Sequence, residues 1–140
     1  MAGDLAIAVA QVNPTVGDIR GNVARIRAAR AEAAAQGAHL VAFPELCVAG
    51  YQPEDLVLKP AFLDACRAAV EDLARDTLDG GPAMLVGAPW VEADKPYNAA
   101  LLLDGGRVAA QRFKQDLPNY GVFDDKRVFA AGPPRRRACR

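Results

Sequence analysis

Residues 39–47 read His-Leu-Val-Ala-Phe-Pro-Glu-Leu-Cys, HLVAFPELC. The run 39–43 is apolar and stopped by Pro44, which marks a buried strand ending in a turn. Upstream, residues 19–36 change period. Val23, Ile26, Ala29 and Ala33 recur at steps of three and four, with Arg25, Arg27 and Glu32 between them, the pattern of an amphipathic helix. Asp18 is placed to cap its start and Gly37 to end it. Before that, residues 5–12 form another short apolar run, punctuated by Asn13-Pro14 and Gly17-Asp18. Strand, helix, strand within 43 residues is a βαβ unit, whose strands run parallel.

Working downstream, residues 45–59 carry loop signals at Gly50 and Pro53. Pro60 suits the first turn of a second helix over 60–77, with Phe62, Cys66, Val70 and Leu73 as its core stripe. Strands follow at 83–88, 97–103 and 107–113, the last two joined by Asp104-Gly105-Gly106 as a hairpin. The expected fold class is α/β in layers: two helices and about five strands. The loop QDLPNYGVFDDKRVF then leads through Gly132-Pro133-Pro134 to a basic tail at 135–140.

The chain has 140 residues, room for one domain. Charge sums to zero, which argues against holding nucleic acid or an anionic membrane by bulk charge. Setting aside Arg135, Arg136, Arg137 and Arg140 leaves 13 basic residues against 17 acidic, so the body is mildly acidic. Cys47, Cys66 and Cys139 show no metal-site spacing and no disulfide framework. The N-terminus lacks the basic region of a signal peptide, and no stretch reaches 18 apolar residues. The reading is a reduced, cytoplasmic protein with no metal.

Glu45 stands at the end of a core strand, where α/β domains place functional groups. Burial there makes a general base; on position alone, a rim ion pair is the more economical reading. Lys114 also ends a strand, in a chain with 13 arginines and four lysines. It suits stabilisation of an oxyanion, against the plainer reading of a solvated strand end. Tyr51 and Tyr120 each follow one of these residues by six positions in a Gly-containing loop, placed either to line a polar pocket or to pack the loop. Cys66 lies on the apolar stripe, Cys47 sits two residues from Glu45, and neither reads as a positioned nucleophile. His39 is the only histidine and opens a core strand, a structural place. Residues 17–22, GDIRGN, lack the spacing of a phosphate loop.

Together the segments AVAQVNPTVGDIRGN, LVAFPELCVAGYQPEDLVLKPAF, LVGAPW and RFKQDLPNYGVFDDKRVF resemble the carbon-nitrogen hydrolase (nitrilase) superfamily. Within it they are most similar to the N-terminal glutaminase domain of glutamine-dependent NAD synthetases, collinearly over residues 5–134. The resemblance implies part of a nitrilase-type α-β-β-α sandwich and a Glu-Lys-Cys triad. Glu45 becomes the base and Lys114 the oxyanion stabiliser, with Tyr120 and Tyr51 lining the glutamine pocket. The second acid of the VFD-acid-KR segment, often Glu in the family, is Asp125 here, one methylene shorter. The family's nucleophilic cysteine belongs to a later strand-end motif. PRRRACR does not match it, so the role is not carried onto Cys139, and the chain is expected to be inactive alone. The abrupt arginines resemble a frameshifted or prematurely stopped reading frame. The resemblance further implies a homo-oligomer and an attached synthetase domain. ATP and Mg belong to that domain only, and the amidase part needs no cofactor. Two alternatives stand beside this reading: another carbon-nitrogen hydrolase, and a non-catalytic interaction protein derived from the fold.

Overall fold

The computed structural model describes residues 3–134; the arginine tail at 135–140 lies outside the described residues. Chain order is β1 (Ile7–Val9), α1 (Ile19–Ala35), β2 (Leu40–Ala42), a 3-10 turn (Glu54–Leu58), α2 (Pro60–Asp76), β3 (Ala83–Glu92), β4 (Lys95–Asp104), β5 (Arg107–Phe113) and a one-turn helix α3 (Asp125–Val128). One sheet runs in the order β1-β2-β3-β4-β5. The β1, β2 and β3 strands are parallel, with Val41 between Ala8 and Met84. The β3-β4 and β4-β5 pairs are antiparallel hairpins.

The helices follow the periodicity. Asp18 caps α1 by accepting the Gly21 amide at 2.9 Å, and Gly37 leaves it with a left-handed φ of 81°. Pro60 opens α2. Val23 and Ile26 of α1 and Cys66, Val70, Leu73 and Ala74 of α2 are buried. Of these, Val23, Ile26, Val70, Leu73 and Ala74 pack on the sheet face made by Met84, Val86, Ala88, Trp90, Ala99, Leu101 and Leu103, with Val41 buried in register beside Met84. Alternation along a strand puts the intervening residues on the opposite face. There Ile7 and Val9 are exposed, Leu40, Ala42, Leu85 and Leu102 half-buried, and Ala100 and Ala110 exposed.

Three differences from the sequence reading have physical causes. The α1 helix also buries Asn22 and Arg30, which apolar periodicity does not reveal. Arg30 donates to the Pro82 carbonyl at 2.9 Å and to both oxygens of Asp79, fastening α1 to the start of β3. The β3 strand runs on past Ala88 through Pro89 to Glu92 and turns at Ala93-Asp94, both with positive φ. Pro89 lies two residues beyond Gly87, so its nitrogen faces the β2 side of β3, where β2 has already ended. No ladder donor is needed there. The polar loop after Lys114 holds α3, too short for periodicity to register.

Candidate active site

The site grows from the two places where strands stop. The β2 backbone stays paired as far as Phe43, whose amide donates to the Leu85 carbonyl at 2.9 Å. The chain then folds into an elbow at Pro44-Glu45-Leu46-Cys47, with Leu46 at a positive φ of 51°. The Gly50 amide closes it on the Leu46 carbonyl at 2.8 Å. The elbow takes over the sheet edge that β2 abandons. Val48 donates its amide to the Gly87 carbonyl at 3.1 Å, and the Cys47 sulfur accepts the Gly87 amide at 3.4 Å. Backbone groups in a core need such partners. Gly87 is required at this crossing: a Cβ there would lie 2.4 Å from the Leu46 nitrogen and 2.9 Å from the Pro44 oxygen. Asn22 ties the elbow to α1, with Nδ2 donating to the Val48 carbonyl at 3.0 Å and to the Thr15 carbonyl at 2.8 Å. The glycine-flanked stretch that contains it therefore buttresses the elbow.

Lys114 follows β5 directly. Its amide donates to the Asn98 carbonyl of β4 at 2.8 Å, and its carbonyl accepts the Gly132 amide at 2.9 Å. The elbow and this strand end bring Glu45 and Lys114, 69 positions apart, into contact: Lys114 Nζ lies 2.7 Å from Glu45 Oε1. Two neighbours complete the arrangement. Asn98 Nδ2 donates to the same Glu45 oxygen at 2.7 Å. Asp125, buried at the start of α3, holds Lys114 Nζ through Oδ2 at 3.1 Å. The shorter carboxylate at position 125 thus reaches the lysine. Burial draws the Lys114 ammonium down, but the hydrogen bonds it donates to Glu45 and Asp125 outweigh that and leave its pKa above the ordinary lysine value. The lysine is a fixed cation.

Tyr51 and Tyr120 part company. Tyr51 lines a cavity of about 290 Å³ with Leu46, Gln52, Glu54, Asp125 and Arg127. Tyr120 is exposed, its ring edge-on to Phe123 at 5.6 Å. Among the described residues neither tyrosine hydroxyl hydrogen-bonds to Glu45 or Lys114. Arg127 bridges Asp124 and Asp55, pinning the loop around α3 to the 3-10 turn beside that cavity. Cys47 is fully buried and its thiol pKa is pushed up to about 11 by desolvation; burial takes Cys66 to about 12. Both are protonated at neutral pH and face no open site. Cys139 lies outside the described residues. Among the described residues no group of three or more His, Cys, Asp or Glu is arranged to hold a metal, and no helix is long and apolar enough to cross a membrane.

This elbow, lysine and buried acid stand in a sequence that matches the carbon-nitrogen hydrolase profile over residues 6–134. The chain belongs to the carbon-nitrogen hydrolase family. It is 46% identical over 133 residues to the glutamine-dependent NAD(+) synthetase of Rhodobacter capsulatus, a match covering 95% of this chain and 24% of that protein. The glutamine-dependent NAD+ synthetase of Acinetobacter baumannii, solved with adenosine diphosphate, superposes with a TM-score of 0.85 at 36% identity, over 91% of this chain and 24% of that one. A variant amidase from Nesterenkonia sp. AN1, solved with acrylamide added at its active site cysteine, superposes with a TM-score of 0.78 at 30% identity, over 94% of this chain and 51% of that one. The architecture is therefore nitrilase-type, and the chain spans about a quarter of the length of its NAD synthetase relatives.

Proposed function

We propose that residues 5–134 of this carbon-nitrogen hydrolase are the base- and lysine-bearing part of a glutamine-hydrolysing amidase, of the kind that supplies ammonia in glutamine-dependent NAD synthetases. The observation that carries this reading is the Glu45-Lys114-Asp125 contact, formed at two strand ends in a chain 46% identical to such a synthetase. In the reaction, Glu45 takes the proton of a cysteine thiol, and the thiolate attacks the glutamine side-chain amide. Charge develops on the carbonyl oxygen, where the Lys114 ammonium stabilises it. Glu45 returns the thiol proton to the amide nitrogen, so that ammonia leaves and a thioester remains. The regenerated carboxylate then takes a proton from the water that releases glutamate and restores the thiol. Asp125 keeps the lysine charged and in place, while Tyr51, which lines the cavity beside Asp125, borders the glutamine pocket.

The nucleophile is not assigned to Cys47 or Cys66, whose thiols are buried and protonated. In this reading it belongs to a segment other than residues 3–134, and the 140-residue chain alone releases no ammonia from glutamine. The synthetase chemistry, with its ATP and Mg, its attached domain and its homo-oligomer, belongs to the larger protein that the relatives suggest. A cytoplasmic location fits that role.

A chimera tests the proposal: residues 5–134 replace the matching segment of the Rhodobacter capsulatus synthetase. Glutamine-dependent ammonia release is expected, with losses of at least 100-fold for Glu45→Gln and Lys114→Met, the scale of removing a general base or an oxyanion partner. A folded chimera without glutaminase activity refutes the reading, as does ammonia release by the 140-residue chain that disappears in Glu45→Ala. The likeness to the Nesterenkonia amidase favours a second reading, hydrolysis of another small amide. A chimera that cleaves acetamide but not glutamine selects it.

A further inference from the structure

Asn98 sits on β4 beside both members of the pair and is 5% exposed. Its backbone carbonyl accepts the Lys114 amide at 2.8 Å, and its side-chain Nδ2 donates to Glu45 Oε1 at 2.7 Å. One residue therefore touches the strand end that carries the lysine and the carboxylate carried by the elbow. The Glu45 side chain is 44% exposed and that of Lys114 27%. An ion pair this accessible contributes about 0–1 kcal/mol, too little to hold a flexible glutamate in one rotamer. A hydrogen bond from a buried amide to a charged acceptor is stronger and more directional.

We propose that Asn98 is the positioning residue of this site: it holds Glu45 so that Oε1 faces the lysine and Oε2 stays free to accept a proton. A carboxylate oxygen has about two lone-pair sites. Both sites on Oε1 are engaged, one by Asn98 and one by Lys114. Oε2 has neither of these donors and is the oxygen to which the thiol proton transfers, leaving the thiolate behind. That use of Oε2 rests on the amidase reading; the positioning of Glu45 does not.

The test reads Lys114, whose charged neighbours here are Glu45 and Asp125. The chain is labelled at its four lysine side chains, and the Lys114 Nζ resonance is assigned by its loss in Lys114→Arg. Its titration midpoint is followed by NMR. Glu45→Gln lowers the midpoint by removing one carboxylate, which sets the full effect of Glu45. Asn98→Leu, keeping side-chain bulk without a donor, is expected to lower the midpoint by at least half as much, because Glu45 swings away from the ammonium. In the Glu45→Gln background the same substitution is expected to change nothing further. A smaller fall in Asn98→Leu, with circular dichroism showing the sheet intact, overturns the proposal. So does an equal fall in the Glu45→Gln background. Asn98→Ser replaces Asn98→Leu in the same comparison where leucine unfolds the chain. No glutamine enters the experiment, so its failure and the failure of the chimera assay are separate results.

Discussion

Replacing Gly87 by alanine tests the reasoning that places Glu45. The new Cβ would meet the Leu46 nitrogen at 2.4 Å, whereas ordinary contact begins near 3.4 Å. The obstructing atoms are backbone, so no side chain can rotate away. The elbow must therefore retreat by about 1 Å, the difference between those two distances. Two consequences follow. The Val48 amide and the Cys47 sulfur lose their bonds to Gly87, at about 1 kcal/mol for the backbone bond and less for the sulfur. Overpacking adds about 1–3 kcal/mol. The sum of about 2–4 kcal/mol is a large fraction of the roughly 5–15 kcal/mol of a typical domain. The same retreat stretches the 2.7 Å Glu45-Lys114 contact beyond hydrogen-bond range. Urea unfolding followed through Trp90, the single tryptophan, measures the first effect, and the Lys114 titration midpoint measures the second. Gly87→Ala within about 0.5 kcal/mol of the parent, the ordinary range for an innocuous surface change, with Lys114 unmoved, refutes the claim that this crossing fixes Glu45.

Further outcomes follow from other contacts. Asp125→Asn removes one of the two carboxylates beside Lys114 and lowers its titration midpoint, measured by the same NMR experiment; an unchanged midpoint shows that the buried acid does not sustain the charge. Arg30→Met leaves the Pro82 carbonyl without its donor and costs about 1–3 kcal/mol by urea unfolding. The Arg30 hydrogen bond holds the Asp79 carboxyl well below the usual range. Because the folded value is depressed, this stabilisation is complete above about pH 4 and is lost as pH falls further, so Asp79→Asn flattens the acid side of the stability curve. In a Cys139→Ser chain, Cys47 and Cys66 resist a disulfide reagent at pH 8 while folded and react rapidly in urea, since desolvation keeps both thiols protonated; rapid labelling of the folded chain contradicts that burial.

Much of this arrangement is legible in the sequence, for local reasons. Asp18, Gly37 and Pro60 act within a turn of their own positions, so their roles follow from neighbours along the chain. Glu45 and Lys114 announce themselves as charges at the ends of strands. Asn98 and Asp125 give no such signal. Asn98 lies inside the run YNAALLL, where an isolated polar residue reads as a solvent-facing strand position, and its partner Glu45 is 53 residues away. Asp125 loses its apparent reach on side-chain length alone, yet α3 carries its backbone close enough to contact Lys114. Cys47 is legible only as not being a nucleophile; its place in the sheet edge depends on where β2 stops relative to β3. Pro89 conceals the continuation of β3 because its harmlessness depends on the absence of a neighbouring strand on one side.

The two faces of the sheet also differ in how they should record substitutions. Leu101 and Leu102 are adjacent, chemically identical and point to opposite sides. Leu101→Ala, at a position with no exposure beneath the helices, should cost about 2–5 kcal/mol. Leu102→Ala, half-buried, and Ile7→Ala, 53% exposed, forgo much less burial and should cost correspondingly less. That asymmetry makes the second face a gauge. Whatever comes to lie on it raises the cost of Leu102→Ala and Ile7→Ala toward that of Leu101→Ala, while Leu101 itself stays constant as the internal standard. Pairing these substitutions reads occupancy of the face from stability measurements alone, in any setting where the chain is found.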